Sequence, residues 1–472
     1  MLTIVSFLFC SSMFIFNQTQ SFVQEDSKIL PVYQLTFSAK NHELDNNDNF
    51  SYDDKFICYD TRGTLGYGIE NCTSIEVVEI NTGKEIKIYQ PDKIRLGVKP
   101  APGIGAVSFH PKEYTLVFIH GPEIKNLYNP IQSEDIYSKM NRRGCIISLK
   151  ENLSIKNKSW VDFRTVSCNV EIPAGAHRGG SHRHEYSANG KRIGCTYDDK
   201  LLPQYGRTIA YFEETSKFLP DANYYFAVLV RIVPMDKAQE GDFVKALGDS
   251  WVDNEGKWRA FIGTVKEGGS FVDYLCMVEI PDNVDIKTSS SGDCQTYPEP
   301  PKGLNIHKIT KVNCSGIVRA SYDGRKVAYL DKDREGKTQI FMVVKNKHED
   351  KETFQDSIPV QVTFLPYGVE DNIRWHPSGN VIFTISEGAV IAVCVKEGEN
   401  FGKSVFITPK YKINKPYALV VSRKGDYLAF NRCVPTYDEI GIRLLSSEGK
   451  DFSQIFLLEC KDNDIEGLFK IE

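Results

Sequence analysis

The chain has 472 residues, of which 41% are apolar, 25% are charged and 11% are aromatic. This balance is typical of a folded protein and excludes the disordered, collagen-like and coiled-coil classes. The formal net charge of -5 gives no electrostatic reason to expect nucleic acid as a partner. The 35 glycines, 21 prolines, 23 tyrosines and 27 phenylalanines favour many short strands joined by turns in one large domain.

An uncharged, mostly apolar segment, residues 2–16, opens the chain. It is shorter than the roughly 20 residues that a membrane span needs and is typical of a signal-peptide core. Thr19 and Ser21 are small enough for the recognition positions of signal peptidase. We therefore predict a signal peptide at 1–21 and one domain at 22–472, placed in the periplasm or secreted. A retained membrane anchor and a buried terminal strand are the alternatives, because no basic residue precedes the apolar segment.

The 12 cysteines are scattered along the chain, and 11 of them follow the predicted leader. They form no CxxC pair and no Cys/His zinc pattern. The odd number after the leader and the irregular spacing argue against a disulfide framework, so most cysteines are predicted to be buried apolar residues. One or two disulfides are compatible with an oxidising compartment.

A recurring unit runs through the chain. It consists of an apolar residue, a Ser, His or Asp, a short turn ending at Gly or an acidic residue, and then an apolar strand. The seven copies lie at 50–54, 109–113, 186–190, 252–256, 320–324, 375–379 and 421–425. After each second strand a third strand is predicted, at 75–80, 145–149, 208–212, 274–280, 339–344, 390–395 and 440–445. Several copies continue into a fourth strand that ends near a threonine, namely Thr310, Thr363 and Thr408.

Four antiparallel strands in each of seven units predict an all-β fold, a seven-bladed β-propeller. One blade buries only part of its apolar surface, so blades must stack around an axis. The segment Leu35-Thr36-Phe37 resembles the end of a fourth strand, and we expect it to complete the last blade and close the ring. Separate β-sandwiches are the alternative, which the even spacing and the lack of a linker disfavour. Residues 214–247 are predicted to be an insertion in the fourth unit.

The motifs also carry a family resemblance. The Ser-x-Asp-Gly turns are similar to those of TolB-type propellers. Further motifs, in matching order, resemble a TolB-like family of unknown function that contains the enterobacterial YidR protein: Phe118-Ile119-His120-Gly121-Pro122-Glu123, Arg142-Arg143-Gly144, Arg178-Gly179-Gly180-Ser181-His182-Arg183-His184 and Tyr197-Asp198-Asp199. The resemblance covers roughly residues 33–435 and implies a TolB-like propeller. It implies no activity, because the family has none to carry over.

The repeat predicts which side chains share one opening of the channel. In each unit the first strand runs into the turn and the second strand runs back. The turns therefore lie at one face of the disc-shaped propeller, and the first strands begin and the second strands end at the opposite face. Side chains two apart on a strand face the same way. The predicted channel pairs are Asn46/Asp48, Gly105/Val107, His182/His184, Gly248/Ser250, Gly316/Val318, Asp371/Ile373 and Tyr417/Leu419. Strand ends add Asp60, Arg62, His120, Asp198, Asp199, Asp331 and Arg432, with Arg142 and Arg143 before a third strand. The turn face is predicted to lack such a cluster.

The sequence His182-x-His184 is the sharpest local signal. On a regular strand both imidazoles face one side, about 6–7 Å apart at their Cα atoms, which allows joint coordination of a divalent metal such as Mn, Zn or Fe. The alternative is that the two histidines hydrogen-bond around a solvated channel. Two further histidines, His110 and His376, are predicted to cap turns. His177 is predicted to be a loop residue near the mouth.

The same segment more distantly resembles the metal-binding segment of oligogalacturonate lyase propellers, Gln-x-x-His-x-His, with Gly179 in place of the glutamine. The resemblance implies a metal that neutralises a uronate carboxylate and acidifies C5–H while a base removes the proton. The substrate carboxylate would be clamped by Arg142, Arg143, Arg178 and Arg183.

Three functions are therefore weighed. The first is a binding module, an exported and monomeric propeller whose polar mouth docks a glycan, peptide or protein partner. The second is a metal-dependent lyase or hydrolase acting on an acidic oligosaccharide; an envelope-assembly role like that of TolB is a third. The predicted ligand-binding residues are His120, Arg142, Arg143, Arg178, His182, Arg183, His184, Asp198 and Asp371, and the predicted metal ligands are His120, His182 and His184.

Overall fold

The structure is a computed structural model of the chain. It describes residues 26–44, 48–91, 103–123, 137–219, 222–314, 316–348, 351–461, 465 and 467–469. The predicted leader at 1–21 lies outside the described residues, and so does the side chain of Asp371. Within the described part, no helix is long and apolar enough to cross a membrane.

The described chain is all-β apart from short helical turns, and its strands follow one another in antiparallel units. The first half contains β1 (Asp26–Ser27), β2 (Val32–Gln34), β3 (Phe56–Asp60), β4 (Ile75–Glu79), β5 (Glu85–Tyr89), β6 (Ile104–Phe109), β7 (Thr115–His120), β8 (Arg143–Leu149), β9 (Ile155–Trp160), β10 (Gly179–Tyr186), β11 (Arg192–Asp199), β12 (Thr208–Leu219), β13 (Ala222–Val228), β14 (Phe243–Trp251), β15 (Trp258–Glu267), β16 (Ser270–Glu279) and β17 (Asn305–Lys311).

The second half repeats this pattern with more short strands. It contains β18 (Arg319–Ala320), β19 (Lys326–Lys332), β20 (Thr338–Val344), β21 (Asn346–His348), β22 (Lys351–Thr353), β23 (Val360–Gln361), β24 (Asp371–Trp375), β25 (Val381–Ser386), β26 (Ala389–Cys394), β27 (Ser404–Phe406), β28 (Tyr417–Val421), β29 (Tyr427–Val434), β30 (Thr436–Tyr437), β31 (Arg443–Leu444) and β32 (Phe452–Glu459). Single turns of 3-10 helix lie at Thr64–Gly66, Ile69–Asn71, Met235–Lys237 and Ile286–Thr288.

The sheets are arranged as in a β-propeller. β6–β9 and β10–β13 share one eight-stranded sheet, while β14–β17, β18–β20 with β23, β24–β27 and β28–β29 with β32 form the sheets that follow. Neighbouring units contact one another in chain order, through β3 and β6, β6 and β10, β11 and β14, β14 and β18, β18 and β24, and β24 and β28. The last unit also contacts the first. The Asp54 carboxylate in the first unit accepts hydrogen bonds from the backbone N–H groups of Arg423 and Lys424 in the last, at 2.7 and 2.9 Å.

The amino-terminal strand completes the last sheet. β2 (32–34) ends directly before the predicted segment 35–37 and pairs antiparallel with β32. The backbone N–H of Leu35 extends this pairing by donating a hydrogen bond to the carbonyl of Ile455. Thr36 Oγ1 then accepts the backbone N–H of Ile455 at 2.9 Å. Thr363 and Thr408 make the same 2.9 Å contact to the third strands of their own sheets. The predicted closure by this strand is confirmed, and the shared threonine contact explains why the segment resembles a fourth strand.

The turns stack one unit on the next. His110 and His376 cap their turns as predicted, since each Nδ1 accepts the backbone N–H two residues later at 3.2 Å. Each imidazole lies over the turn glycine of the following unit. A Cβ on Gly190 would lie 2.2 Å from His110 Nε2, and one on Gly425 would lie 2.1 Å from His376 Nε2. Both glycines also have a positive φ, so glycine is required there for conformation and for space.

Two predicted segments are wrong. Residues 214–247 are not an insertion, because they contain the end of β12, the strand β13 and the start of β14. β13 is apolar on both faces and lacks the alternation that marks a half-exposed strand. The segment 440–445 is not the third strand of the last unit; that strand is β32, and Ile440 and Ile442 are 81% and 57% exposed.

Candidate functional site

The inner strand β10 contains a β-bulge between His182 and Glu185, at Arg183, whose φ is 59°. A bulge adds one residue to a strand and reverses the side to which the following side chains point. His184 is consequently fully buried, whereas His182 is partly exposed and lines a cavity. The prediction that both imidazoles face one side is wrong.

The same irregularity recurs in other inner strands. Counting residues in steps of two therefore fails for the channel lining as a whole. Among the described residues, such bulges with a positive φ of between 44° and 68° lie at Ala106, Gly248, Asn372 and Ala418. Since these positions hold Ala, Gly and Asn as well as Arg, no residue type marks the bulge in the sequence.

His184 packs in the interior between two units. Its Nε2 lies 2.9 Å from Ser181 Oγ, and a Cβ on Gly144 would lie 2.9 Å from the same nitrogen. Burial lowers the pKa of His184 to about 4, which keeps the imidazole neutral at pH 7. The side chain of His184 has no exposed surface, so a ligand could not reach the ring. The structure therefore does not support the predicted role of His184 as a ligand-binding residue.

His120 is also used internally. Its Nδ1 lies 2.7 Å from the carbonyl oxygen of Gly121, which can only accept, so Nδ1 carries the proton. The other ring nitrogen, Nε2, therefore accepts a hydrogen bond from the Tyr89 hydroxyl at 2.9 Å. The ring packs edge-on against Trp160, and burial lowers the pKa of His120 to about 4. With both nitrogens engaged, the ring is not free to bind a metal. Among the residues that the structure describes, no group of three His, Cys, Asp or Glu side chains is placed to hold one. Metal binding therefore stays a prediction, and the described residues do not supply a group of ligands for it.

Arg143 is partly exposed and binds a buried carboxylate. Its Nε lies 3.4 Å from Asp162 Oδ2, and its guanidinium stacks 4.2 Å above the ring of Trp160. The same carboxylate lies 3.3 Å from Nδ1 of His177, with both side chains fully buried. His177, predicted as a loop residue at the mouth, is instead in the interior, where burial lowers its pKa to about 3.

Arg178 is a structural clamp. The fully buried guanidinium binds Asp199 at 2.8 Å and donates to the carbonyls of Ser291, Asp293 and Thr296 at 3.1, 2.6 and 3.1 Å. These contacts use the side chain to hold the loop 291–296 against β10 and β11. The predicted role of Arg178 in ligand binding is therefore wrong.

The same loop carries a disulfide between Cys168 and Cys294, with a Cα–Cα distance of 5.7 Å. Of the nine other described cysteines, seven are buried. The prediction that most cysteines are buried apolar residues is confirmed.

A cavity of about 260 Å³, here called the mouth cavity, lies where β10, β11 and β14 meet the start of the β18 unit. It is lined by His182, Arg183, Thr196, Arg207, Leu247, Gly248, Asp249, Gly316 and Ile317. Arg207 binds Asp198 through Nε and Nη2, at 2.9 and 2.7 Å, and the Asp249 carboxylate binds Arg259 at 2.6 Å. Arg183 has no carboxylate within ion-pair distance among the described residues. The cavity therefore presents an uncompensated positive charge.

His182 lies within this positive surface. Burial, followed by the charges of Arg142, Arg207 and Arg183, lowers the pKa of His182 far below its ordinary value. The imidazole is therefore neutral at pH 7 and offers one hydrogen-bond donor and one acceptor to the cavity.

Two further predicted residues lie behind the mouth cavity. Asp198 is 5% exposed, and Arg142, 7% exposed, approaches it at 3.7 Å. The strand position of Asp371 is at the start of β24. The structure thus brings together His182 and Arg183, backed by Asp198 and Arg142, and places His120, Arg143, Arg178 and His184 elsewhere.

Sequence reasoning missed Arg207 and Asp249. Arg207 immediately precedes the third strand β12, as Arg142 and Arg143 precede or open β8, so the same rule could have found it. Asp249 follows the bulge at Gly248, which no sequence signal marks.

A larger cavity of about 670 Å³ involves Leu65, Glu370, Lys415, Tyr417, Arg443 and Asp451 among others. Tyr417 opens β28, at the register position that His182 has in β10, so this cavity lies at the same end of the ring. Behind it, the Tyr417 hydroxyl donates to Oε1 of the buried Glu43 at 2.7 Å. The cavity lining mixes acidic and basic groups and has no single dominant charge.

The comparisons with known proteins agree with the sequence motifs. Residues 103–212 match the family described as "Protein of unknown function (DUF3748)". The uncharacterized protein YidR of Escherichia coli (strain K12) is 26% identical over 430 residues, which cover 84% of this chain and 94% of that protein. The predicted resemblance to this family is confirmed.

Solved propellers are more distant. TolB from Acinetobacter baumannii is 13% identical, with a TM-score of 0.32, and the match covers 67% of this chain and 52% of that chain. An oligogalacturonate lyase in complex with manganese is 10% identical, with a TM-score of 0.35, over 80% of this chain and 96% of that chain. Likenesses this weak say nothing about the site or the activity of this protein.

Proposed function

We propose that the protein is an exported seven-bladed β-propeller that binds the acidic groups of a glycan at its mouth cavity. The blade number is supported by the seven turns and by the order in which neighbouring sheets contact one another. Export is supported by the disulfide between Cys168 and Cys294, because disulfides persist in oxidising compartments and are rare in the cytosol.

The observation that carries the binding proposal is the charge of the mouth cavity. Arg183 contributes a guanidinium without an ion-pair partner among the described residues, while the carboxylates of Asp198 and Asp249 are already bound to Arg207 and Arg259. A guanidinium matches the planar geometry of a carboxylate and binds it through two parallel hydrogen bonds. A sugar carboxylate is therefore the group that this surface fits best.

The geometry suits recognition of part of a larger ligand. A volume of about 260 Å³ is slightly below the range of 300 to 1,000 Å³ that is usual for small-molecule sites. One acidic sugar unit would fill it, and the rest of the glycan would lie on the polar rim. Neutral His182 would hydrogen-bond a sugar hydroxyl, so binding would change little with pH through this residue near neutrality.

The proposal is tested by titrating the full chain with short oligogalacturonates and, in parallel, with neutral oligogalactosides. The informative variant is Arg183→Asn, because asparagine tolerates the positive φ at this position and the substitution removes the guanidinium. The matched control is Arg334→Asn, which removes an exposed arginine on the loop after β19.

We expect the acidic glycan to bind, the neutral one not to bind, and Arg183→Asn to weaken binding about tenfold or more, as for loss of a charge-assisted hydrogen bond. The control should bind as the native protein does. Equal binding by Arg183→Asn, or no binding of the oligogalacturonates by the native protein, would contradict the proposal.

A further inference from the structure

A second group of charged side chains lies inside the ring, nearer the turns than the mouth cavity. Glu185 of β10, Arg319 of β18 and Arg374 of β24 each stand two residues before the Ser or His that caps the turn of their unit. They therefore occupy the same level of three inner strands. The sequence predicted no such cluster at the turn face, and these three residues lie inside the ring, two positions before the turn residues.

Arg319 points across the channel. Its Nη1 lies 3.6 Å from Oε1 of Glu185, although the unit β14–β17 separates the strands that carry the two residues. A contact that skips a neighbouring unit can be made only through the space that the inner strands enclose. The guanidinium of Arg319 consequently faces the channel interior.

This guanidinium is poorly satisfied. Arg319 is 3% exposed, and its Nε, Nη1 and Nη2 atoms have no hydrogen-bond partner in the part of the chain that the structure describes. Its ion-pair partner Glu185 is shared with Arg259, whose Nη2 lies 3.4 Å from Glu185 Oε2. Buried polar atoms are almost always hydrogen-bonded in folded proteins, and a buried charge is normally paired.

The surroundings increase the positive charge. Arg374 is also 3% exposed, and its charge and that of Arg183 both act on Arg319. The Asp48 carboxylate, which lies near the same group, is held by Arg423 at 2.8 Å. Arginine does not release its proton in proteins, so this charge has to be balanced by another group.

We propose that a small tetrahedral oxyanion, inorganic phosphate or sulfate, binds in the channel against the Arg319 guanidinium. Guanidinium groups bind such oxyanions through paired, charge-assisted hydrogen bonds, which would satisfy two of the three unpaired nitrogen atoms of Arg319. Arg374 and Arg183 supply further positive potential. This site is separate from the glycan site proposed at the mouth cavity, although the charge of Arg183 acts at both, and it does not rest on glycan binding.

The test is the thermal stability of the full chain in chloride buffer, measured as chloride is replaced by phosphate or by sulfate at constant ionic strength. An anion that binds only the folded protein raises the melting temperature with its concentration. We expect Arg319→Gln to weaken the apparent affinity tenfold or more, as for loss of a charge-assisted contact. The control Arg334→Gln, at an exposed loop arginine, should respond as the native protein does.

A second variant has the opposite expected sign. Glu185→Gln removes the carboxylate that competes with the anion, so it should strengthen the response to phosphate or sulfate. A native protein that phosphate and sulfate stabilise no more than chloride would overturn the proposal, and so would Arg319→Gln with an unchanged response. If Arg319→Gln does not fold, an unchanged or weaker response of Glu185→Gln decides against the site. Arg319→Gln should still bind the acidic glycan, because Arg319 does not line the mouth cavity. Measuring this binding therefore distinguishes failure of one proposed site from failure of the other.

Discussion

Glu43 should make the stability of the protein fall as the pH rises toward neutrality. The side chain is 1% exposed, its Oε1 lies 2.7 Å from the Tyr417 hydroxyl, and its Oε2 accepts the backbone N–H of Gly66 at 3.0 Å. Burial raises the pKa of Glu43 to about 8, against the lowering effects of the Tyr417 hydrogen bond and the Arg62 charge. Asp60 adds to the increase by charge repulsion.

The magnitude follows from proton linkage. Between the ordinary pKa of 4.5 and the folded value of about 8, the folded state keeps a proton that the unfolded state releases. Stability is therefore fully present below pH 4.5 and decreases by about 1.4 kcal/mol per pH unit up to about pH 8. At pH 7 the loss is about 3 kcal/mol.

Glu43→Gln mimics the protonated acid, because its NH₂ group can donate to Tyr417 while its oxygen accepts from Gly66. Urea unfolding at pH 5 and pH 7 should show the variant gaining about 3 kcal/mol over the native protein at pH 7 and less than 1 kcal/mol at pH 5. Glu335→Gln, on an exposed loop, is the control and should show no such difference. An equal stability difference at both pH values would refute the reasoning.

Three further predictions concern stability. Arg178→Met leaves Asp199 buried without its partner, and urea unfolding should show a loss of about 3–5 kcal/mol; a loss below 1 kcal/mol would mean that the clamp is unimportant. The disulfide closes a separation of 126 residues, so a reductant should lower the melting temperature of the native protein by the equivalent of about 2–5 kcal/mol but leave that of Cys168→Ser/Cys294→Ser unchanged. Gly194→Ala would place a methyl group 2.1 Å from the Arg259 guanidinium and should destabilise the protein by about 1–3 kcal/mol in the same unfolding assay; native-like stability would show that Arg259 can move without cost.

The sequence by itself determined the features that depend on local interactions. The recurring turn followed by a short apolar run predicted most second and third strands, because both signals lie within a few neighbouring residues. The turn caps at His110 and His376 were also predictable, since each side chain bonds a backbone group only two residues away. The closing strand near Thr36 was recognisable because it repeats the threonine contact of the other fourth strands.

Only the tertiary structure decided where the charged side chains point. The bulge at Arg183 separates His182 from His184, and a bulge depends on how a strand fits its neighbours rather than on its own residue types. The contact between Arg319 and Glu185 joins strands from units that are not adjacent, so its formation depends on closure of the ring. The strands could be predicted because their pattern is local, whereas the site could not because it is built from residues that meet only across the channel.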